Sequence, residues 1–599
     1  MKKLLYIAVL AGTFALTGCD DFLTPDNKSA VTDKDFFTSK DGFPTIVNDV
    51  YATLGTRGSS KMFNASNVNA YFRAGTDMYM DARKNCDEAM HRWQNIGPEN
   101  GVPKEFYTNA YDAIRKCYTI DYYAPDVPES ACSADDKARM IDECHTVACF
   151  YYYLLVNKFG GVPLVTEYAA SAISGYPRAS AADVYAYIIT ELERIVANNK
   201  LVASTATKGG GQISMEAAKA ILAKTYLAAA WDLNKSEYFA KAAAIADEVI
   251  AGRELTTPFA KLWAADCSGD DNEEFIWDVE YDYDGTSSKT SGNRLQSYFS
   301  NYYGGTEDGM KNGDSAYVPT LHALKYFEKG DSRYDATFAK MLYIKKNPWD
   351  DAAGDYVEPQ FKEMGGNYFG MYDGTGSYVG VYYQAHYETD ADVQNWIDDD
   401  KAHREHAMIS PMAEKTYNIE TFDKDYKTKV VDYETDGRLL SYTCAPCCKF
   451  DYSVHPDYNA GRSFRDLHII TLPEMFFVAA EAYHKAGNDT EATARLNSVR
   501  KRAGLAPIVL ADVVIDGLTR QPDMIDWILK ESACEMFGNG CRNIDLRRTG
   551  KLVEYNDLWN PQLRGNAAAA IGEKLLWPIP QAAIDANKLL TDADQNPGY

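Results

Sequence analysis

The sequence predicts a mainly α-helical fold, a scaffold of stacked helical hairpins interrupted by a long irregular and partly β region. Three observations carry this expectation. Apolar residues recur at three- and four-residue spacing over both ends of the chain. Between roughly 253 and 465 that period gives way to Gly, Tyr, Asp and short alternating runs. The 599 residues, 46% hydrophobic and 25% charged, have the composition of a packed globular chain and exclude disorder as the main state. The expected division is 1–18 as a leader, 19–252 as an N-terminal helical region, 253–465 as the irregular region and 466–599 as a C-terminal helical region.

The leader opens with Lys2 and Lys3, and the apolar run 4–16 is too short to span a bilayer. Leu16-Thr17-Gly18-Cys19 resembles the lipobox of bacterial lipoproteins, which implies acylation of Cys19. Several acyl chains would hold firmly, because each buried methylene contributes about 0.8 kcal/mol and one chain alone is marginal. Asp20 and Asp21 resemble the surface-export signal of some Gram-negative lipoproteins. No later run reaches the length of a membrane-spanning helix.

Helices then follow in order. Segment 105–121 sets Phe106, Ala110, Ile114 and Cys117 on one face. Segment 135–158 does so with Ile141, Val147, Phe150, Leu154 and Leu155, and stops at Gly160-Gly161 before Pro163. Segment 181–198 carries Val184, Ile188, Leu192 and Ile195. An Ala-rich pair, 214–230 and 236–251, lets two helices approach closely. Lys208-Gly209-Gly210-Gly211 lacks the continuation of a phosphate loop and reads as a connection.

In the middle, Phe275, Trp277, Val279, Tyr281 and Tyr283 alternate with acids, the pattern of a half-buried strand. The same acids mimic a calcium loop but meet Ser291 where a bidentate Glu is needed. His403-Arg404-Glu405-His406 fits neither zinc-protease order and reads as a solvated helix turn. Cys444-Ala445-Pro446-Cys447-Cys448 lacks the following helix of a redox motif. With His455 it fits no standard zinc finger either, so it reads as a loop with a local disulfide or free thiols. No metal or cofactor is expected.

Toward the C-terminus, Thr471-Leu472-Pro473-Glu474 reads as a capping box opening a helix that ends at Gly487. A second helix, about 490–503, closes at Gly504. Such hairpins of about 34 residues resemble degenerate tetratricopeptide repeats.

Residues 535–550, EMFGNGCRNIDLRRTG, resemble the signature of the SusD/RagB family of surface lipoproteins. Four further blocks agree: YYLLVNKFGGVPLV at 152–165, AEAY at 480–483, LNSVRKRAGL at 496–505, and LWPIPQ at 576–581 with the terminal QNPGY. Asn539, Ser532 and Thr471 depart from the residues usual in that family. We read the charged motif residues as structural, with Glu481, Glu531 and Glu535 pairing with Arg500, Arg542 and Arg547 to fix helix register. No catalytic constellation stands out, since nothing in the sequence singles out a carboxylate pair at glycosidase spacing among 86 acidic residues.

The charge balance sharpens the expected function. With 61 basic against 86 acidic residues, net −25, neither nucleic acid nor an anionic lipid surface suits as a partner. Tyr and Trp, 43 and 9 against 24 Phe, favour wet recognition surfaces. The resemblance implies a non-catalytic receptor that captures glycans at the outer membrane, through its lipid anchor, beside a SusC-like TonB-dependent transporter. It implies a shallow groove built from the stretch 71–95, with Arg73, Asp77, Trp93 and Asn95, and from the middle, with Tyr298, Asn301, Tyr302, Tyr303 and Trp349. A surface glycoside hydrolase and a peptide- or glycoprotein-binding member of the family are the alternatives.

Overall fold

The computed structural model describes residues 32–55, 62–63, 68–80, 88–169, 173–204, 211–281, 292–300, 313, 316–344, 349–350, 352, 355–356, 378–411, 445–452, 463–540 and 542–599. Cys19, Asp20, Asp21, residues 208–210, the calcium-like acids 282 and 284 with Ser291, Cys444 and His455 lie outside them. The longer helices are α1 (Phe43–Gly55), α2 (Gly101–Cys117), α3 (Ala134–Phe159), α4 (Ala181–Asn198), α5 (Met215–Asp232), α6 (Glu237–Ile250), α7 (Leu472–Lys485), α8 (Asp489–Arg502) and α9 (Met524–Glu535).

Local chemistry sets their ends. Ser133 accepts from the Asp136 amide to start α3, which stops at Gly160 with φ 69°. Ser180 and Asp183 form a reciprocal capping box on α4, and Asn199 ends it in the left-handed conformation. The helix expected over 105–121 begins earlier, because Asn100 caps the Val102 amide. Pro103 then falls in the first turn, where its missing N–H costs nothing. This helix breaks at Tyr118, and a short one, Thr119–Tyr123, follows.

Successive helices from α3 to α6 pack in sequence order, and α6 packs directly on α7. Arg495 on α8 grips Asp247 of α6 at 2.9 and 3.0 Å, and the Tyr483 hydroxyl donates to the same carboxylate. The C-terminal hairpin α7–α8 therefore continues the stack begun by α5–α6, although the whole middle region separates them in sequence. Small side chains make the close approach possible: Ala217, Ala220, Ala242, Ala246, Ala479 and Ala480 are all sealed from solvent.

The capping box expected at Thr471 does not form. Thr471 ends strand β9 (Leu467–Thr471), and its hydroxyl meets the Met536 sulfur at 3.6 Å while Glu474 turns to Lys224. The amide of Leu472 is satisfied instead by the Glu274 carbonyl at 2.7 Å. Strand β2 (Phe275–Val279) pairs antiparallel with β9, and all five of its residues are buried. The half-buried alternation read from the sequence is thus wrong, because both faces of the strand are covered. Asp278 is accommodated there by His468, whose Nδ1 lies 2.6 Å from the carboxylate.

Among the described residues the remaining strands form three small sheets. β1 (Tyr79–Met80) pairs with β3 (Val318–Pro319), β4 (Met341–Ile344) with β7 (Tyr378–Gln384), and β7 with β8 (Met408–Pro411) in parallel. β5 (Trp349–Asp350) pairs with β6 (Asp355–Tyr356). The middle also holds short helices, including Lys401–Arg404, where His403 faces Asp400 at 2.9 Å in a solvated turn. Cys447 is buried, and the Cys448 thiol donates to the Ala336 carbonyl at 3.8 Å. No described helix is long and apolar enough to cross a membrane.

Candidate functional site

The signature residues 535–548 and the stretch 71–95 meet in the interior, so the same contacts decide both. Of the three expected carboxylate partners, Glu531 does bind Arg500, at 2.6 Å. The others differ: Glu481 takes Arg548 at 2.8 Å and Glu535 takes Arg502, while Arg542 reaches Asp77 and Arg547 reaches Asp232. The reason is helical geometry. Successive residues of the helix Arg542–Arg548 point about 100° apart, so neighbouring arginines face different elements. Arg333 completes the network by bridging Asp331 and Glu531 at 2.7 and 3.0 Å, inside the protein. Burial of such charges is tolerable only with this degree of pairing.

Glu274 and Glu535 share Arg502, and burial pushes the Glu274 carboxyl up to about 7. A raised carboxyl beside a second one is the signature of a general acid. Both groups, however, are sealed from solvent, so no polymer reaches them. Among the described residues no group of three or more His, Cys, Asp or Glu side chains is placed to hold a metal ion.

The expected groove residues divide into three sets. Arg73, Asp77, Trp93 and Tyr298 are buried. Arg73 donates to the Gly538 carbonyl at 2.9 and 2.6 Å and lies over the Phe299 ring. Asp77 accepts from Arg542 at 3.0 and 2.6 Å and from Tyr326 at 2.9 Å. Trp93 donates to the Gly75 carbonyl, which also accepts from Asn556. The Tyr298 carbonyl accepts from the amides of Ala316 and Tyr317, and Arg294 lies 4.8 Å from its ring centre. Arg73 and Asp77 join the stretch 71–95 to the middle and C-terminal regions from within, and all four side chains are shut away from solvent. Among the described ones Asn95 alone is exposed, held at φ 55°, a conformation Asn tolerates well. Asn301, Tyr302 and Tyr303 lie outside the described residues. Trp349 falls on β5, with its side chain outside them.

The stretch 71–95 and the region after 292 are nevertheless brought together, through the β1–β3 pair and Tyr79, whose hydroxyl accepts from the Gly538 amide at 2.7 Å. The tyrosine excess serves the core as well as any surface. Tyr71, Tyr152 and Tyr185 are buried, with hydroxyls on Glu105, the Val165 carbonyl and Asp232.

Sequence reading missed an open cavity of about 430 Å³ beside α1 and α3. Tyr51, Arg139 and Gln212 all turn to Glu143 on its wall, and Gly211 donates to Glu280 at 3.0 Å. These groups satisfy one another. Tyr51 stands in a segment with no motif around it, so no sequence signal marked the place.

Comparison with known proteins gives the following. A family model described as the SusD family matches residues 273–599, and a second, described as "Starch-binding associating with outer membrane", matches residues 21–227. The chain is 22% identical over 609 residues to "SusD-like protein P38" of Formosa agariphila, covering 97% of each. Among solved structures it resembles a SusD homolog from Bacteroides thetaiotaomicron, with TM-score 0.67 and 17% identity over 95% of this chain and 98% of that one. It also resembles surface glycan-binding protein A from Bacteroides uniformis, with TM-score 0.61 and 19% identity over 93% and 99%. The same protein from Bacteroides thetaiotaomicron, in complex with laminarihexaose, gives TM-score 0.61 and 17% identity over 92% and 98%. The helical-repeat fold expected from the sequence is the fold of these structures.

Proposed function

The chain belongs to the SusD family, and on that premise we propose that it is a non-catalytic receptor, anchored by acyl groups on Cys19 at the outside of the outer membrane. It holds a neutral oligo- or polysaccharide and passes it to a SusC-like TonB-dependent transporter. The observation that carries this reading is the pair of family matches, which together take in most of the chain and bear descriptions of starch binding and the outer membrane. The laminarihexaose complex of a similar fold supports a glycan as the ligand class.

Within this reading the contact residues are Asn95, Asn301, Tyr302, Tyr303 and Trp349. Aromatic faces take the apolar side of a sugar ring, while amides bond its hydroxyls. Arg73, Asp77, Trp93 and Tyr298, all buried, brace the protein from within. The interior placement of Glu274 and Glu535 supports a role without bond cleavage.

The test is affinity electrophoresis of the full chain in gels containing laminarin or starch, with a reducing-end assay on the same samples. Retardation without new reducing ends is expected. Release of sugar by the purified protein refutes the non-catalytic part. Membrane fractionation of a Cys19→Ala variant reads the anchor: the variant is expected in the soluble fraction.

A further inference from the structure

Three N-terminal segments bring a strip of aromatic rings together at the surface. Phe36 and Phe37 lie in the helix Asp33–Phe37, Tyr122 and Tyr123 in the helix Thr119–Tyr123, and Tyr168 in the loop after α3. Their ring centres follow one another in an unbroken path. Phe36 is 5.2 Å from Phe37, Phe37 5.0 Å from Tyr123, Tyr123 5.0 Å from Tyr122, and Tyr122 4.6 Å from Tyr168. Tyr123 is 7% exposed and acts as the base of the strip, whereas Tyr122 and Phe36 are 49% and 43% exposed. Large aromatic rings so open, yet held by one another, are unusual on a protein surface and mark interaction sites.

The charges beside the strip choose among ligands. Asp33 lies beside Tyr123, Lys34 beside Tyr122 is already paired with Asp126 at 2.7 Å, and Glu167 precedes Tyr168 in the chain. A surface with this acidic excess repels anionic headgroups and acidic polymers. It suits a ligand that is uncharged, has apolar faces to lie on the rings, and carries hydroxyls to donate to carboxylates. Pyranose rings have this chemistry.

We propose that the strip Phe36–Tyr122–Tyr168 is a second carbohydrate-contact surface, on which neutral sugar units of a polymer stack while Asp33, Asp126 and Glu167 accept their hydroxyls. It rests on the glycan-receptor reading above and adds to it a second point of contact, built from elements other than the groove. Two contacts on one chain raise the hold on a long polymer over that on a short fragment, because the second binds at high effective concentration.

The experiment uses the full chain with Cys19→Ala, so that no acyl group contributes, with and without Tyr122→Ala and Tyr168→Ala. Each is run by affinity electrophoresis through laminarin and through starch, and sedimented with phosphatidylcholine vesicles. The expected result is retardation of the unaltered strip by at least one polymer, weakened about tenfold in dissociation constant by the double change. Equal retardation of both proteins overturns the second surface and leaves the receptor reading standing. No retardation of either by any polymer overturns both. Vesicle binding that disappears with the double change overturns the proposal in favour of a lipid surface. Should the double variant lose its fold by circular dichroism, Phe36→Ser, at an open ring, carries the same test.

Discussion

Arg542 and Asp77, 465 residues apart, face each other inside the protein through hydrogen bonds of 3.0 and 2.6 Å. The pair also receives the Tyr326 hydroxyl at 2.9 Å. Removing one partner leaves a buried charge unpaired, so Asp77→Asn is expected to lower stability by about 3–5 kcal/mol. Urea denaturation measures the loss. Glycan affinity of the remaining folded protein is expected to stay unchanged; a fall in affinity with an unmoved midpoint would place Asp77 at the ligand instead.

Gly75 turns with φ 67°, and a Cβ there would come within 2.3 Å of Trp93 Nε1 and 2.6 Å of the Met90 carbonyl oxygen. Gly75→Ala therefore adds backbone strain and a clash together, at a cost of about 1–3 kcal/mol. The readout is the thermal midpoint, and an unchanged midpoint would show that the Trp93 loop yields freely.

Asn95 offers a test of the groove free of stability effects. Asn95→Gly keeps the left-handed backbone and deletes the amide. The expected outcome is a several-fold weaker glycan affinity, of the size of one lost hydrogen bond of about 1 kcal/mol, with no drop in midpoint. Isothermal titration with the polymer that retards the protein reads it.

His145 sits between Asp121 at 2.9 Å and Glu191 at 2.6 Å. Burial works against the charged ring, but the two carboxylates outweigh it and hold its pKa at about 9, above the ordinary 6.5. A raised folded-state value means that the stabilisation is fully present below pH 6.5 and is lost as pH rises through 9. The linked change is about 3 kcal/mol. Unfolding free energies measured from pH 6 to 9.5 are expected to decline, and His145→Gln to flatten that decline.

The helices were legible because each buries one stripe, and a 3.6-residue period survives in the sequence whatever the stripe touches. Segment 181–198 illustrates this, with Val184, Ile188 and Leu192 all buried on α4. Ion-pair partners were not legible. The motif marks Arg542 and Arg547 for pairing with carboxylates, but which carboxylates they meet depends on how distant elements cross. The β2 strand was misjudged for a similar reason: its acids suggested an open face, and only the packing of other elements shows Asp278 shut in with His468. In the groove, residue type failed as a guide. Trp93 and Tyr298 look equally suited to a core or to a sugar, and burial separates those uses only in three dimensions.

The ties from 73–80 to 538–560 have a consequence for how the molecule comes into being. Gly538 bonds Arg73 and Tyr79, Asn556 bonds the Gly75 carbonyl, and Asn560 that of Thr76. Closing so wide a span is slow, since the entropy of bringing distant segments together must be met before any contact rewards it. Until residues 538–560 have emerged, this seam has no second half. Locking comes late, once the final tenth of the polypeptide arrives.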